Sequence, residues 1–172
     1  MAITVGTPVQ DKQNPGNSKV VTFNYTMIGG SDTLLVVAIQ CPSSKNISTV
    51  KYNGVAMTSR LNYSSSQLSA RYGFWELENP ASGTNEVRID YTVNLNNNVL
   101  ARVQGFSGAT GGGVVANDDI NNSPHSRTRS GISAGSLMMV QAVATNSHAS
   151  NAITVGSETI PSQAHQGDRN QR

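Results

Sequence analysis

Between residues 86 and 93 the chain reads Glu-Val-Arg-Ile-Asp-Tyr-Thr-Val. Val87, Ile89, Tyr91 and Val93 alternate with Glu86, Arg88 and Asp90. A period of two fits a half-buried β-strand and does not fit a helix. Just upstream, residues 71–78 carry the chain's only tryptophan, Trp75. Trp75 and Leu77 share one face of this run, and Tyr72 and Phe74 share the other. Residues 79–85 join the two runs through turn formers. Pro80 stops the first strand, because it has no N–H for the ladder and restricts Asn79 before it. Gly83 can take the positive φ a turn requires. The two runs are expected to form a hairpin-like unit at the centre of a β core, since tryptophan brings a large apolar area.

The rest of the chain extends this pattern. Residues 3–9 suggest a short edge strand broken by Pro8, and residues 11–18 a loop around Asn14-Pro15-Gly16-Asn17. In residues 19–27, Val21, Phe23 and Tyr25 oppose Val20, Thr22 and Asn24, as in a strand. A turn at residues 29–32 leads to residues 34–39, Leu-Leu-Val-Val-Ala-Ile. This run has no polar face, so it is expected as a central strand covered on both sides and stopped at Pro42. Val50-Lys51-Tyr52 and Val55-Ala56-Met57 flank Asn53-Gly54, the signature of a hairpin with a type I′ turn. Residues 64–66 read as loop and 94–98 as an Asn-rich turn. Residues 99–106 read as a strand with Val99, Ala101 and Val103 on one face. A glycine-rich connection at 111–113 and a polar, irregular stretch at 114–132 follow. Residues 136–144 and 153–155 suggest two last strands.

This gives about eight strands and no amphipathic helix, so the expected class is all-β. The expected architecture is a single antiparallel β-sandwich, jelly-roll-like or immunoglobulin-like, over residues 1–160. Residues 161–172 are polar, with almost nothing to bury, and read as a tail that is mobile or ordered by a partner.

Composition narrows the function classes. Charged residues make up 13 % of the 172 residues, against about 25 % in an average soluble protein. The polar surface must therefore be built from Ser, Thr, Asn, Gln and Gly, a bias that fits exported, adhesive or virion proteins. A net charge of +2 gives no electrostatic case for nucleic acid, and Arg127 and Arg129 are a pair rather than a cluster. The single Cys41 excludes an internal disulfide and reads as a buried structural thiol. The first residues lack the basic and apolar regions of a signal peptide. No run approaches the roughly 18 apolar residues of a membrane span. The chain is expected to be made in a cytoplasm, with neither nucleic acid nor membrane as partner.

Each candidate for chemistry has a plainer reading. His125, His148 and His165 have no second ligand at metal-site spacing and read as surface histidines. Asp118 and Asp119, with Asn117 and Asn121, offer hard oxygens for calcium but do not match an EF-hand loop, so a solvated turn is expected. Glu76 and Glu78, with Asp90 as a third carboxylate, are the best approach to a glycosidase pair. Such a pair needs carboxylates about 5–9.5 Å apart across a cleft. Residues 111–113 lack the Lys-Ser/Thr of a phosphate loop. Tyr52, Tyr63, Tyr72 and Trp75 could stack on a sugar, though core burial explains most of them. Asn24, Asn46, Asn62 and Asn121 begin Asn-x-Ser/Thr sequons, read as chance. No catalytic, cofactor-binding or metal residue is assigned, and no enzymatic activity is expected.

Three stretches together resemble a widespread family of small β-sandwich domains found in structural proteins of tailed-phage virions and in bacterial surface proteins. They are Val-Lys-Tyr-Asn-Gly-Val-Ala-Met at 50–57, Trp-Glu-Leu-Glu-Asn-Pro-Ala-Ser-Gly-Thr-Asn-Glu-Val at 75–87, and Gln-Gly-Phe-Ser-Gly-Ala at 104–109. The resemblance covers about residues 20–145 and is carried by turn and core positions. It implies a jelly-roll-like sandwich and a non-enzymatic role in the virion, as a capsid decoration or cement protein or a short head fibre. The implied partners are major capsid or tail subunits and further copies of the chain. A host-surface glycan is the partner if the domain is instead an adhesion module. The polar end at 165–172 departs from the family pattern and leaves the final strand open.

Overall fold

Ten strands among the described residues belong to the first of two compact units, Met1–Leu137. They are β1 (Thr4–Val5), β2 (Val9–Gln13), β3 (Ser18–Met27), β4 (Leu34–Pro42), β5 (Ile47–Tyr52), β6 (Val55–Ala56), β7 (Thr58–Ser65), β8 (Ala70–Glu78), β9 (Gly83–Leu95) and β10 (Val99–Ser107). The computed structural model describes residues 3–13, 15–65, 69–96, 99–111, 153–155 and 158–160. The second unit, Met138–Arg172, contains an antiparallel ribbon of β11 (Ile153–Val155) and β12 (Glu158–Ile160). The expected strand at 153–155 is therefore present, whereas the expected strand at 136–144 lies outside the described residues. No helix among the described residues is long and apolar enough to cross a membrane.

Every ladder among the described residues is antiparallel. β2 pairs with β10, β3 with β9, β4 with β8, and β5 with β6. Residues 9–107 thus form one long ribbon folded back on itself and rolled, so that successive pairs fall in opposite sheets. One sheet has six strands in the order β1-β10-β4-β8-β7, with β2 also on β10. The other has four, in the order β3-β9-β5-β6. This rolled order is that of a jelly roll, and the immunoglobulin-like alternative falls away. The strand after the Asn53-Gly54 turn serves both sheets. As β6 it pairs with β5; after Met57, 8 % exposed, it continues as β7 beside β8.

The core lies between the two sheets. Leu35, Val37 and Ile39 of β4, Trp75 of β8 and Val99, Ala101 and Val103 of β10 enter from the six-stranded sheet. Val21, Tyr25 and Met27 of β3, Val50 and Tyr52 of β5, and Val87, Ile89 and Tyr91 of β9 enter from the other. The alternation expected for β3, for β10 and for β9 from Val87 to Tyr91 is the alternation observed. β4 has the middle position and is buried on both faces from Leu34 to Ile39, as its unbroken apolar run requires.

Four expectations are corrected. β8 and β9 do not pair with each other: β8 lies between β4 and β7, and β9 between β3 and β5. The connection at 79–82 is a corner between sheets, held by the Asn79 N–H on the Thr33 carbonyl at 2.8 Å. Residues 9–13, expected largely as loop, form β2 because β10 offers a free edge. Ser64 and Ser65 belong to β7, and Ser65 is fully buried. Val93 is 41 % exposed, because the β3–β9 register shifts between Ser18 and Val20 and takes this part of β9 out of the core alternation.

Candidate functional site

The two outer faces of the sandwich differ. On the four-stranded sheet, Thr22, Asn24 and Thr26 stand beside Arg88, Glu86 and Thr84. Thr26 and Thr84 share a hydrogen bond of 2.7 Å. Asp90 accepts from Arg88 Nε and from Thr49 Oγ1, both at 2.9 Å, and Lys51 stands 3.9 Å away. This is a solvated polar face, in which exposed ion pairs contribute little.

The outer face of the six-stranded sheet is apolar and aromatic. The register sets Leu61, Phe74, Ala38 and Arg102 in one row, and Tyr63, Tyr72, Gln40 and Leu100 in the next. Tyr63, Tyr72 and Phe74 are half-buried, and Leu34, Val36, Ala38 and Phe106 are buried. At the other edge, the Gln104 side-chain amide donates to the Gly6 carbonyl. Of the four aromatic residues raised by the sequence, Tyr63 and Tyr72 meet here as cross-strand neighbours, a stabilising arrangement. Tyr52 and Trp75 instead face the core, at 0 % and 3 % exposure. The Tyr52 hydroxyl is held there by the Gly83 carbonyl at 3.0 Å. Tyr52 and Trp75 are therefore unavailable for stacking on a sugar.

The same face carries the carboxylate pair. Glu76 is 9 % exposed and bonded by Arg60, whose Nε donates to it. That bond holds the Arg60 pKa above its ordinary value. Glu78 accepts the Gly111 N–H at 2.8 Å. A Cβ at Gly111 would meet the ends of both carboxylates, and the two glutamates would have to shift to admit it. The Gly108 and Ala109 N–H groups bond Ser31 and Asp32 carbonyls at 3.1 and 2.8 Å. Residues 108–111 thus run from the end of β10, past the start of β4, to β8. Asp90 projects from the opposite outer face, so the three carboxylates do not share a cleft. Arg60 and Gly111 are the partners sequence reasoning missed. A glycine-rich exit from a strand was the one available signal, and it does not name its contact.

A third feature lies inside the sandwich, where β4 ends. Cys41 and Arg71 are cross-strand partners. The Cys41 thiol donates to the Lys45 carbonyl at 3.5 Å, and burial pushes its pKa up to about 12, against an opposing pull from Arg71. Tyr91, 3 % exposed, enters from β9; burial raises its pKa, and the neighbouring Cys41 adds to the shift. At the opposite end, Tyr25 Oη accepts the Gly105 N–H at 2.7 Å, yet burial still raises its pKa.

A shallow cleft of about 260 Å³ lies at a loop end, lined by Ile28, Gly29, Gly30, Thr33, Asn79, Pro80 and Ser82. Among the described residues, no cluster of three or more His, Cys, Asp or Glu side chains could hold a metal ion. His125, His148, His165, Asn117, Asp118, Asp119 and Asn121 lie outside the described residues, as do Gly112 and Gly113. No family model matches the chain, and no curated protein or solved structure matches it either.

Proposed function

We propose that this chain is a structural subunit of a bacteriophage virion, a capsid decoration or cement protein or a short head fibre. In this reading it acts by protein–protein contacts with major capsid or tail subunits and with copies of itself. The observation that carries the reading is the rolled strand order, since jelly rolls recur in capsid and lectin domains. That is an analogy at the level of fold, and fold alone does not fix function. The positions behind the family resemblance add support, for they are the ones this architecture needs: the Asn53-Gly54 turn, the corner after β8 and the end of β10. The Glu76–Glu78 pair fits the same reading, because its partners are Arg60 and Gly111 rather than a carboxylate across a cleft. The test is co-sedimentation of the purified chain with particles that lack it. Saturable binding at a fixed ratio to a capsid or tail subunit supports the proposal, and failure to bind at micromolar concentrations counts against it.

One observation favours a second reading, an adhesion module for host carbohydrate. Tyr63, Tyr72 and Phe74 lie together on one sheet face beside the amide of Gln40, and aromatic faces with nearby amides suit a sugar. A glycan array with the native chain and Tyr72→Ala decides it. Binding that disappears in the variant supports adhesion, and an array without signal removes it.

A further inference from the structure

The cleft at the loop end has two walls. One is the β3–β4 connection, through Ile28, Gly29, Gly30 and Thr33; the other is the β8–β9 corner, through Asn79, Pro80 and Ser82. Backbone hydrogen bonds fix both. The Asn79 N–H bonds the Thr33 carbonyl at 2.8 Å and joins one wall to the other. The exit from β10 braces the first wall, through the Gly108 and Ala109 N–H groups on the Ser31 and Asp32 carbonyls. Asn85 Nδ2 donates to the Ser82 carbonyl at 3.2 Å and steadies the second. Gly30 has φ of 136°, which side chains rarely allow, so its backbone stands bare on the cleft. A ligand would meet a preformed surface and would not have to order these connections.

Polar groups on this surface lack protein partners. Thr33 is only 7 % exposed, yet its side chain forms no hydrogen bond among the described residues. The Asn79 amide and the Ser82 hydroxyl form none there either, nor do the Gly29 and Gly30 backbones. A nearly buried polar group without a partner calls for one. None of the described lining residues is charged or aromatic, so an ion would find no opposite charge. Hydroxyl and amide groups both donate and accept, which matches them to the hydroxyls of a neutral ligand. An extended peptide is a poorer match, because it adds to a sheet edge and these residues are connections.

We infer that this cleft binds one neutral sugar unit. The Thr33, Asn79 and Ser82 side chains and the Gly29–Gly30 backbone bond its hydroxyls, and Ile28 and Pro80 meet its C–H groups. The volume of about 260 Å³ limits the ligand to a small unit. The site shares no residue with the Tyr63–Tyr72 face and stands for a virion subunit and an adhesion module alike.

The test is an NMR titration of the isotope-labelled native chain with glucose, galactose, mannose and N-acetylglucosamine. Saturable shifts of the Gly29, Gly30, Asn79 and Ser82 amides with at least one sugar support the inference. Thr33→Val and Ser82→Ala keep the backbone bonds, and each should weaken that sugar roughly 2- to 12-fold, the loss of one hydrogen bond. Tyr72→Ala should leave its affinity unchanged, which separates this site from the aromatic face. Shifts confined to the Tyr63–Tyr72 face, or an affinity that neither cleft variant changes, overturn the inference. So does a spectrum that responds to triglycine and to no sugar, or to none of these probes.

Discussion

Trp75 is the largest side chain in the core, and its place depends on a neighbour without one. Its ring lies over Gly73, where a Cβ would collide with the indole and with the Leu61 carbonyl. A glycine inside an apolar strand often marks such a close approach, and Tyr72-Gly73-Phe74 carries that signal. Trp75→Ala removes the ring and leaves a cavity, so it is expected to cost about 3–5 kcal/mol in chemical denaturation. A loss below about 0.5 kcal/mol would place the ring outside the core. Cys41 gives a second test. Its pKa rises from an ordinary 9.0 to about 12, so folding favours the neutral thiol. The stability it adds is complete below pH 9 and is lost as pH rises through about 12. Tyr25 and Tyr91, both raised above 10.0, act on the same alkaline limb. Cys41→Ala should therefore make the fall in stability between pH 9 and 12 shallower without abolishing it. In the native chain at pH 8 a thiol reagent should label Cys41 only on unfolding, and labelling at the rate of a free peptide thiol would contradict its burial.

At the scale of elements, period two and turn chemistry tell different things. Alternation assigned the inward residues of β3, of β10 and of β9 up to Tyr91 from sequence, because a strand between core and solvent has no other arrangement, and it failed at Val93, where the register shifts. It could not say which strand lies beside which. The two-residue Asn53-Gly54 loop leaves no slack, so β5 and β6 must pair. Asn53 and Gly54 have φ of 49° and 77°, as a type I′ turn demands. The connection from Glu78 to Gly83 is long enough to return along the same sheet or to cross to the other. The choice is made by distant groups, the Thr33 carbonyl among them. β2 escaped notice because Gln-Asp-Lys-Gln has no strand pattern; its ladder with β10 supplies what propensity does not. The outer face of the six-stranded sheet was half legible. Tyr63 and Tyr72 were named, but their meeting is a matter of register, and Arg60 and Gly111 are partners brought from distant parts of the chain. Gly54→Val should impair folding strongly, since a β-branched residue resists positive φ. Circular dichroism and refolding yield would show it, and a variant with native yield and Tm would contradict the turn.

For the molecule as a whole, the jelly roll closes its own core, so residues beyond it can serve contacts. The proposed assembly role assigns such contacts to residues 161–172, whose sequence offers little to bury. Deleting them should leave Tm within about 2 °C of the full chain and lower its incorporation into particles. Full incorporation of the truncated chain would remove the tail from the contact surface. The proposal that this chain is a virion subunit is tested most directly by quantitative mass spectrometry of phage particles purified from the cells that produce it. The account predicts a fixed copy number per particle, in a simple ratio to a capsid or tail subunit and resistant to high-salt washing. Recovery of the chain only in the soluble lysate, or at a level that varies between particle preparations, would contradict it.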